Sequence, residues 1–282
     1  MFQSPEIEKK IYVNVAKPIE AGFLVDQPSE VTLHTSRDRQ GTASKLPAFI
    51  PHQEVDRQAL SIEASPSSLM EFEIYTPKEK TELNTIFYIP GTASQTIAIQ
   101  PVRAVLSQIS HILGVRVIAI FHDLAPMNKH PIPYNEVCEA INLLLNKSDI
   151  KLNKIAIGGD SSGGLLALLV AIQAVHRHIP FSQILLFAPV VDLQATLSLQ
   201  EKPGQGFGTP KFFKQFVNTY LPTDQKPDSP EVSPYHCRDE LLHQLPPVIL
   251  VSGVEDTIHE SIVAFSEKLD RYHFFALEES NH

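Results

Sequence analysis

A chain of 282 residues with 43% hydrophobic and 20% charged side chains has a globular composition and is large enough to bury its own core without disulfide or metal staples. Acidic residues outnumber basic ones, 32 to 23, and the net charge of −9 repels phosphate backbones and anionic lipid heads, which sets nucleic acid aside as a partner. Two cysteines, Cys138 and Cys237, are too few for a disulfide framework, and no run approaches the roughly 18 apolar residues that a membrane helix needs.

Residues 1–10 hold no apolar stretch of the secretory kind, so a cytoplasmic location is expected. Residues 1–50 lack sustained periodicity and are punctuated by Pro5, Pro18, Pro28 and Pro47; they read as an irregular arm lying on a larger body. Two strands are predicted at 59–64 and 70–75. The run Thr85-Ile86-Phe87-Tyr88-Ile89 is continuously apolar, as in a strand buried on both faces. Val102, Val105, Leu106, Ile109 and Ile112 recur at helical spacing and predict a helix over 99–113. A β-branched strand at 115–121 follows. Val137, Ala140, Ile141, Leu144 and Leu145 place a helix at 134–145, with Cys138 inside it as an apolar thiol. Next come a short strand at 154–157, a long apolar helix at 162–175 and strands at 184–187 and 248–251. A helix at 258–269 and a last strand at 273–277 complete the series. This alternation predicts an α/β fold, a mainly parallel sheet flanked by helices, in one domain over 1–282. The excursion 192–245, with a Gly-Pro-rich loop and an aromatic helix at 210–220, reads as an insertion at the carboxyl edge of the sheet, where ligands bind. With the arm 1–50 it forms the expected cap.

The most informative segment is Gly159-Asp160-Ser161-Ser162-Gly163. It fits G-x-S-x-G and stands between a predicted strand and a predicted helix. A strand turning sharply into a helix lifts the serine to the apex, and side chains two residues to either side would collide, so glycine is needed at both. The helix N-terminus then aims amide hydrogens at the reacting oxygen. A plain glycine-rich turn would share the composition without the flanking strand and helix. A phosphate loop would need a lysine after the glycines, and none follows.

Extended to Gly164, the segment resembles the G-D-S-A-G-G signature of the hormone-sensitive-lipase family of α/β-hydrolases. Other segments agree in the same order. Asp123-Leu124-Ala125-Pro126, followed by His130-Pro131-Ile132-Pro133, is similar to the family's R-L-A-P-E…H-P-F-P stretch. Asp228-Ser229-Pro230-Glu231-Val232-Ser233-Pro234, after Tyr220-Leu221-Pro222, resembles its return from the cap. Residues 245–253 with Asp256 resemble the strand that carries the acid. The resemblance runs from about Thr85 onward and is weak over the first 80 residues.

The resemblance implies a Ser161, Asp256, His282 triad. A serine hydroxyl is a poor nucleophile until an imidazole takes its proton, and a carboxylate holds that imidazole in the needed tautomer. Glu255 is the neighbouring competitor for the acid, and a helix N-cap is the other use for Asp256. Of the histidines after Asp256, His259 is too near and His273 opens a strand, which leaves His282, a terminal position where fraying is common. Most relatives carry H-G-G-G after the strand at 85–89, whereas here the residues are Pro90-Gly91-Thr92-Ala93. Oxyanion donors are backbone amides, so Gly91 or Thr92 with Ser162 are expected to supply them. Thr92 and Ala93 tolerate positive φ less well than glycine, so the loop is expected to differ in shape.

The expected function is therefore hydrolysis of small-molecule carboxylic esters of small or medium acyl length through an acyl-enzyme. No cofactor is implied, and no metal-ligand spacing such as H-E-x-x-H occurs. The alternative is a ligand-binding protein that keeps the fold and pocket without turnover, as the plant gibberellin receptors of the same family do. Phe212, Phe213, Phe216 and Tyr220 lie at helical spacing in the insertion, where such a stripe packs as core more often than it lines a pocket.

Overall fold

The computed structural model describes residues 54–65, 68–79, 84–92, 99–146, 154–197 and 209–278. Eight strands form one sheet: Val55–Ser65 (β1), Ser68–Pro77 (β2), Thr85–Ile89 (β3), Arg116–Ile120 (β4), Ile155–Asp160 (β5), Phe181–Phe187 (β6), Val248–Gly253 (β7) and Tyr272–Leu277 (β8). Their order across the sheet is β1-β2-β4-β3-β5-β6-β7-β8. β1 and β2 pair antiparallel, β2 runs antiparallel to β4, and every pairing from β4 to β8 is parallel. The connecting helices are Ile99–Leu113 (α1), Ile132–Asn146 (α2), Ser161–Arg177 (α3), Pro210–Tyr220 (α4), Asp239–Leu242 (α5) and His259–Ser266 (α6).

The apolar strand runs follow from burial on both faces. Along β3, Phe87 and Ile89 join Ile157, α2 and α3 in one core, while Ile86 and Tyr88 join Val117 and the α1 residues Val105, Leu106 and Ile109 in the other. Side chains alternate across a strand, so one continuous apolar word serves two cores. Across β1, β2 and α1 runs a partly buried ion cluster. Glu73 accepts from Arg103 Nη2 at 2.6 Å, from Arg57 Nη1 at 2.9 Å and from the Tyr75 hydroxyl at 2.6 Å.

Of the boundaries that depart from the sequence expectation, three do so for a plain local reason. β5 continues to Asp160, past the expected end at 157. Gly158 pairs with Tyr88 and Leu185, and Gly159 with Ile89 and Leu186. A Cβ on Gly158 would stand 2.6 Å from the Leu185 carbonyl oxygen, so these glycines mark close strand approach and do not end the strand. α2 starts at Ile132 because Pro133, lacking an N–H, suits a first turn whose amides have no helical partner. α6 ends at Ser266, and the chain tightens beyond it through Lys268 N–H to Phe265 O at 3.1 Å and Leu269 N–H to Ser266 O at 3.0 Å.

Between β6 and β7 lie α4, a 3-10 turn Pro234–His236 and α5. Phe213, Phe216 and Tyr220 of α4 are buried in the larger core, with Phe216 and Tyr220 stacked at 5.7 Å, so three of the four aromatics are core, while Phe212 is only half-buried. Thr209 caps the helix by accepting the Phe212 amide at 3.2 Å. Lys129 closes its other end, donating to the Asn218 and Leu221 carbonyls at 3.0 Å each. The expected arm 1–50 lies outside the described residues.

The sheet order places the site. From β3 the chain passes through α1, on one face, to β4; it then returns through α2, on the opposite face, to β5 on the other side of β3, and α3 leaves across the same face as α2. Loops leaving β3 and β5 therefore diverge and open a crevice at their carboxyl ends, the switch point where α/β sheets bind ligands.

Candidate active site

Ser161 stands on that crevice. Asp160 is still extended, with φ −118° and ψ 149°, whereas Ser161 has φ 50° and begins α3. A left-handed backbone in a non-glycine residue is uncommon and costs energy. Among the described residues the other such positions are His178, Ala188 and Ala195. His178 is the C-cap of α3, while Ala188 and Ala195 follow β6, so strain gathers at the carboxyl edge beside Ser161. The Ser161 carbonyl accepts the Val190 amide at 3.1 Å, which fixes the turn against the β6 exit, and the residue is half-buried.

The glycines two positions away are required by space. A Cβ on Gly159 would lie 2.6 Å from the Ile89 carbonyl oxygen and 2.7 Å from the Gly163 backbone, and one on Gly163 would meet that same Ile89 oxygen and Pro90. β3, the first turn of α3 and the end of β5 are thus in backbone contact, with no room for a methyl.

Asp160 faces β3. Its Oδ1 accepts the Tyr88 hydroxyl at 2.9 Å and the Gly91 amide at 3.0 Å. Burial, then the nearby carboxylate and its hydrogen bond, push the Tyr88 phenol well above its ordinary value, so it stays a donor. The Gly91 amide, one of the expected oxyanion donors, is thus directed at Asp160 and braces the turn; a Cβ there would collide with the Asp160 carboxylate and stand 2.7 Å from its carbonyl oxygen. The Thr92 amide donates to the Ser162 hydroxyl at 3.1 Å. Ala93 lies outside the described residues.

Asp256 follows β7 on the same edge. It is 2% exposed, whereas Glu255 is exposed to solvent, so only Asp256 faces inward. Its Oδ1 accepts the Ile258 amide at 3.0 Å, and its own amide donates to Gly253 O at 3.1 Å. Ile258, not Asp256, is the N-cap of α6. β6 separates β5 from β7, so Ser161 and Asp256 rise from strands roughly 10 Å apart. His282 lies outside the described residues, but β8 pairs with β7 as far as Gly253 and Leu277, and the Val254 amide donates to Leu277 O at 2.9 Å. The chain thus leaves β8 beside the loop that carries Asp256. His259 turns elsewhere, with Nδ1 at 3.1 Å from the Ser252 hydroxyl and its ring 5.9 Å from that of Phe274.

Sequence reasoning singled out neither member of a second carboxylate–imidazole pair on this edge. Asp192, buried after β6, holds His236 Nε2 at 3.0 Å and accepts the Gln194 and Thr196 amides at 3.0 and 2.7 Å. The partners are 44 residues apart, and no local pattern joins them. On the β4 exit loop, burial lowers the His130 imidazole below its ordinary value against the opposing pull of Glu231, and its Nδ1 lies 3.3 Å from the Tyr220 hydroxyl. Among the described residues no group of three or more histidine, cysteine, aspartate or glutamate side chains is placed to hold a metal. No helix among them is long and apolar enough to cross a membrane.

The sequence profile of the family described by its alpha/beta hydrolase fold matches residues 87–273, a span that includes β5, the elbow and Asp256. The chain is an α/β-hydrolase of the hormone-sensitive-lipase type. It is 24% identical over 228 residues to an esterase of Gibberella moniliformis, covering 78% of this chain and 71% of the relative. It is 25% identical over 194 residues to the acetyl esterase of Salmonella paratyphi A, covering 66% of this chain and 58% of the relative. The aligned part thus spans about three fifths to seven tenths of these relatives. Among solved structures, carboxyl esterase 2 of Tuber melanosporum superimposes with a TM-score of 0.73 at 20% identity over 88% of both chains. The Pyrobaculum calidifontis esterase does so with a TM-score of 0.72 at 22% identity, over 80% of this α/β-hydrolase and 76% of that chain. At these identities the structural likeness speaks to the fold.

Proposed function

We propose that this α/β-hydrolase cleaves small-molecule carboxylic esters through an acyl-enzyme formed on Ser161. The observation that carries the reading is the left-handed, half-buried Ser161 at the apex between β5 and α3, on the switch-point crevice. Esterases among its relatives and structural neighbours support the ester as substrate class.

In this mechanism the Ser161 oxygen attacks the ester carbonyl while the His282 imidazole takes its proton. Asp256, buried on the same edge of the sheet, fixes the tautomer of that imidazole and stabilises its charged form. Amide hydrogens from the first turn of α3, that of Ser162 among them, receive the charge that develops on the carbonyl oxygen. The alcohol leaves with the proton returned by His282, and water then releases the acid by the same route. The segment 192–245, held to the β4 exit by Lys129, acts as part of a cap over the acyl group and favours small or medium chains.

Labelling with a fluorophosphonate probe tests the reading. The intact protein is expected to label, and Ser161→Ala to remain unlabelled. An unlabelled intact protein that still folds would sink the enzyme and favour the binding-protein alternative. Deletion of His282 is expected to lower turnover of p-nitrophenyl esters by orders of magnitude; an unchanged rate would move the base to another histidine.

A further inference from the structure

We infer that the side-chain hydroxyl of Ser162, and not only its backbone amide, is a donor to the oxyanion. This rests on the ester-hydrolase reading and deepens it. Two departures from the family pattern meet in space. Thr92 stands at a glycine of H-G-G-G and Ser162 at the alanine of G-D-S-A-G-G, and the Thr92 amide donates to Ser162 Oγ at 3.1 Å. Both residues are 3% exposed. The turn that carries them is held independently, because the Gly91 amide and the Tyr88 hydroxyl are directed at Asp160.

An amide that reaches an oxygen at this distance directs its hydrogen there, so the Thr92 N–H meets the substrate oxygen by way of Ser162. A hydroxyl that accepts one hydrogen bond keeps its own hydrogen to donate, and accepting from an N–H polarises the O–H so that it donates more strongly. Ser162 follows the nucleophile directly, at the α3 N-terminus whose dipole favours negative charge. When the Ser161 Oγ–carbon bond forms, the carbonyl π pair moves onto oxygen, and the Ser162 O–H receives that charge while its proton stays on Ser162. Side-chain hydroxyls are established oxyanion donors in chemical terms. Here the hydroxyl restores a donor that the altered Pro90-Gly91-Thr92 turn would otherwise divert.

The experiment compares the intact protein with Ser161→Ala, Ser162→Ala and Ser162→Thr in p-nitrophenyl butyrate hydrolysis and in binding of an alkyl trifluoromethyl ketone, whose hemiketal carries the oxyanion. Alanine is the family's own residue at position 162, so that variant is expected to fold. Ser162→Ala is expected to lose about 100-fold in kcat, the usual loss for one oxyanion donor, with KM nearly unchanged and a parallel loss in ketone affinity. Ser162→Thr, which keeps the hydroxyl, is expected to retain most of both. A Ser162→Ala variant as fast as the intact protein, or faster, overturns the inference. So does a loss carried by KM or shared equally by Ser162→Thr, since packing alone would account for it. If the intact protein and Ser161→Ala are indistinguishable, the ester-hydrolase reading falls and this inference with it; if they differ by orders of magnitude, the result at position 162 stands alone.

Discussion

Tyr88 of β3 donates its phenolic hydrogen to Asp160 of β5 at 2.9 Å, with both side chains buried, and so ties the residue before the nucleophile to the strand that leads into Gly91. Tyr88→Phe preserves shape and removes only this donor, leaving Asp160 Oδ1 with the Gly91 amide. Hydrogen bonds to charged groups contribute about 1.5–3 kcal/mol, so the urea midpoint is expected to fall by that loss divided by an unchanged slope. Because the phenol is held well above its ordinary value, the loss should be the same from mildly acid to mildly alkaline pH. An unmoved midpoint would show that the bond contributes nothing.

The elbow glycines give a graded test of packing. At Gly163 a methyl meets the backbone of Ile89 and Pro90, which belongs to a paired strand end. At Gly164 it meets first the Pro189 side chain at 2.9 Å, then backbone at 3.1 Å. Overpacking against backbone costs about 1–3 kcal/mol or more. Gly163→Ala is therefore expected to lower the thermal midpoint more than Gly164→Ala and to abolish fluorophosphonate labelling. Equal effects would mean that the close approach to β3 is not what holds the turn.

Helical spacing located α1 and α4 to the residue, because buried positions recur along a single helix face and local pattern records them. β5 was harder: the expected strand stops at 157, because Gly158 and Gly159 carry no side chain to continue its apolar pattern, and only their neighbours on β3 and β6 place them in the sheet. The Ser161 turn was legible because its glycines are a local requirement, whereas Asp256 was named through the family resemblance, and its burial beside an exposed Glu255 is visible only in the fold. What the sequence did not carry is the direction of each amide. That the Gly91 N–H goes to Asp160 and the Thr92 N–H to Ser162 depends on two chain segments some 70 residues apart, as the Asp192–His236 pair likewise depends on distant partners.

Glu73 makes stability depend on acid in a definite direction. Burial raises its carboxyl, but the hydrogen bonds from Arg103 and Tyr75 and the charges of Arg103 and Arg57 outweigh it, so the group sits below its ordinary value of 4.5. A carboxyl with a lower value folded than unfolded stabilises the fold above the unfolded value and loses that contribution as pH falls through the folded one. Glu73→Gln is expected to lose about 1–3 kcal/mol near neutrality, with the gap to the unaltered protein narrowing as pH drops below 4.5. A gap that stays constant or widens in acid would contradict the assignment. Urea titrations at the two pH values measure it.

Asp256 and Glu255 are adjacent in sequence and opposite in environment, one buried and one exposed. If Asp256 orients the imidazole, Asp256→Asn leaves it in the wrong tautomer and kcat is expected to fall about 10⁴-fold, while Glu255→Gln leaves kcat unchanged. The reverse ranking would transfer the acid to Glu255. Steady-state hydrolysis of a p-nitrophenyl ester by the two variants decides between them.

The φ of 50° at Ser161 carries a price that glycine would not incur. A left-handed backbone costs an L-residue about 1–2 kcal/mol, whereas glycine adopts it freely but gives up about 0.5–1 kcal/mol through its more flexible unfolded chain. Neither Ser161→Ala nor Ser161→Gly has a nucleophile, so both should be inactive, and the difference between them isolates the backbone. Ser161→Gly is expected to be the more stable of the two by about 0.7 kcal/mol, the difference between the middles of those ranges, read as a higher urea midpoint. At an ordinary helix start the order would invert, because alanine is there the better residue. An alanine variant as stable as the glycine one would therefore mean that Ser161 is not held in strain, and the reading of this turn as a spring-loaded elbow would have to be withdrawn.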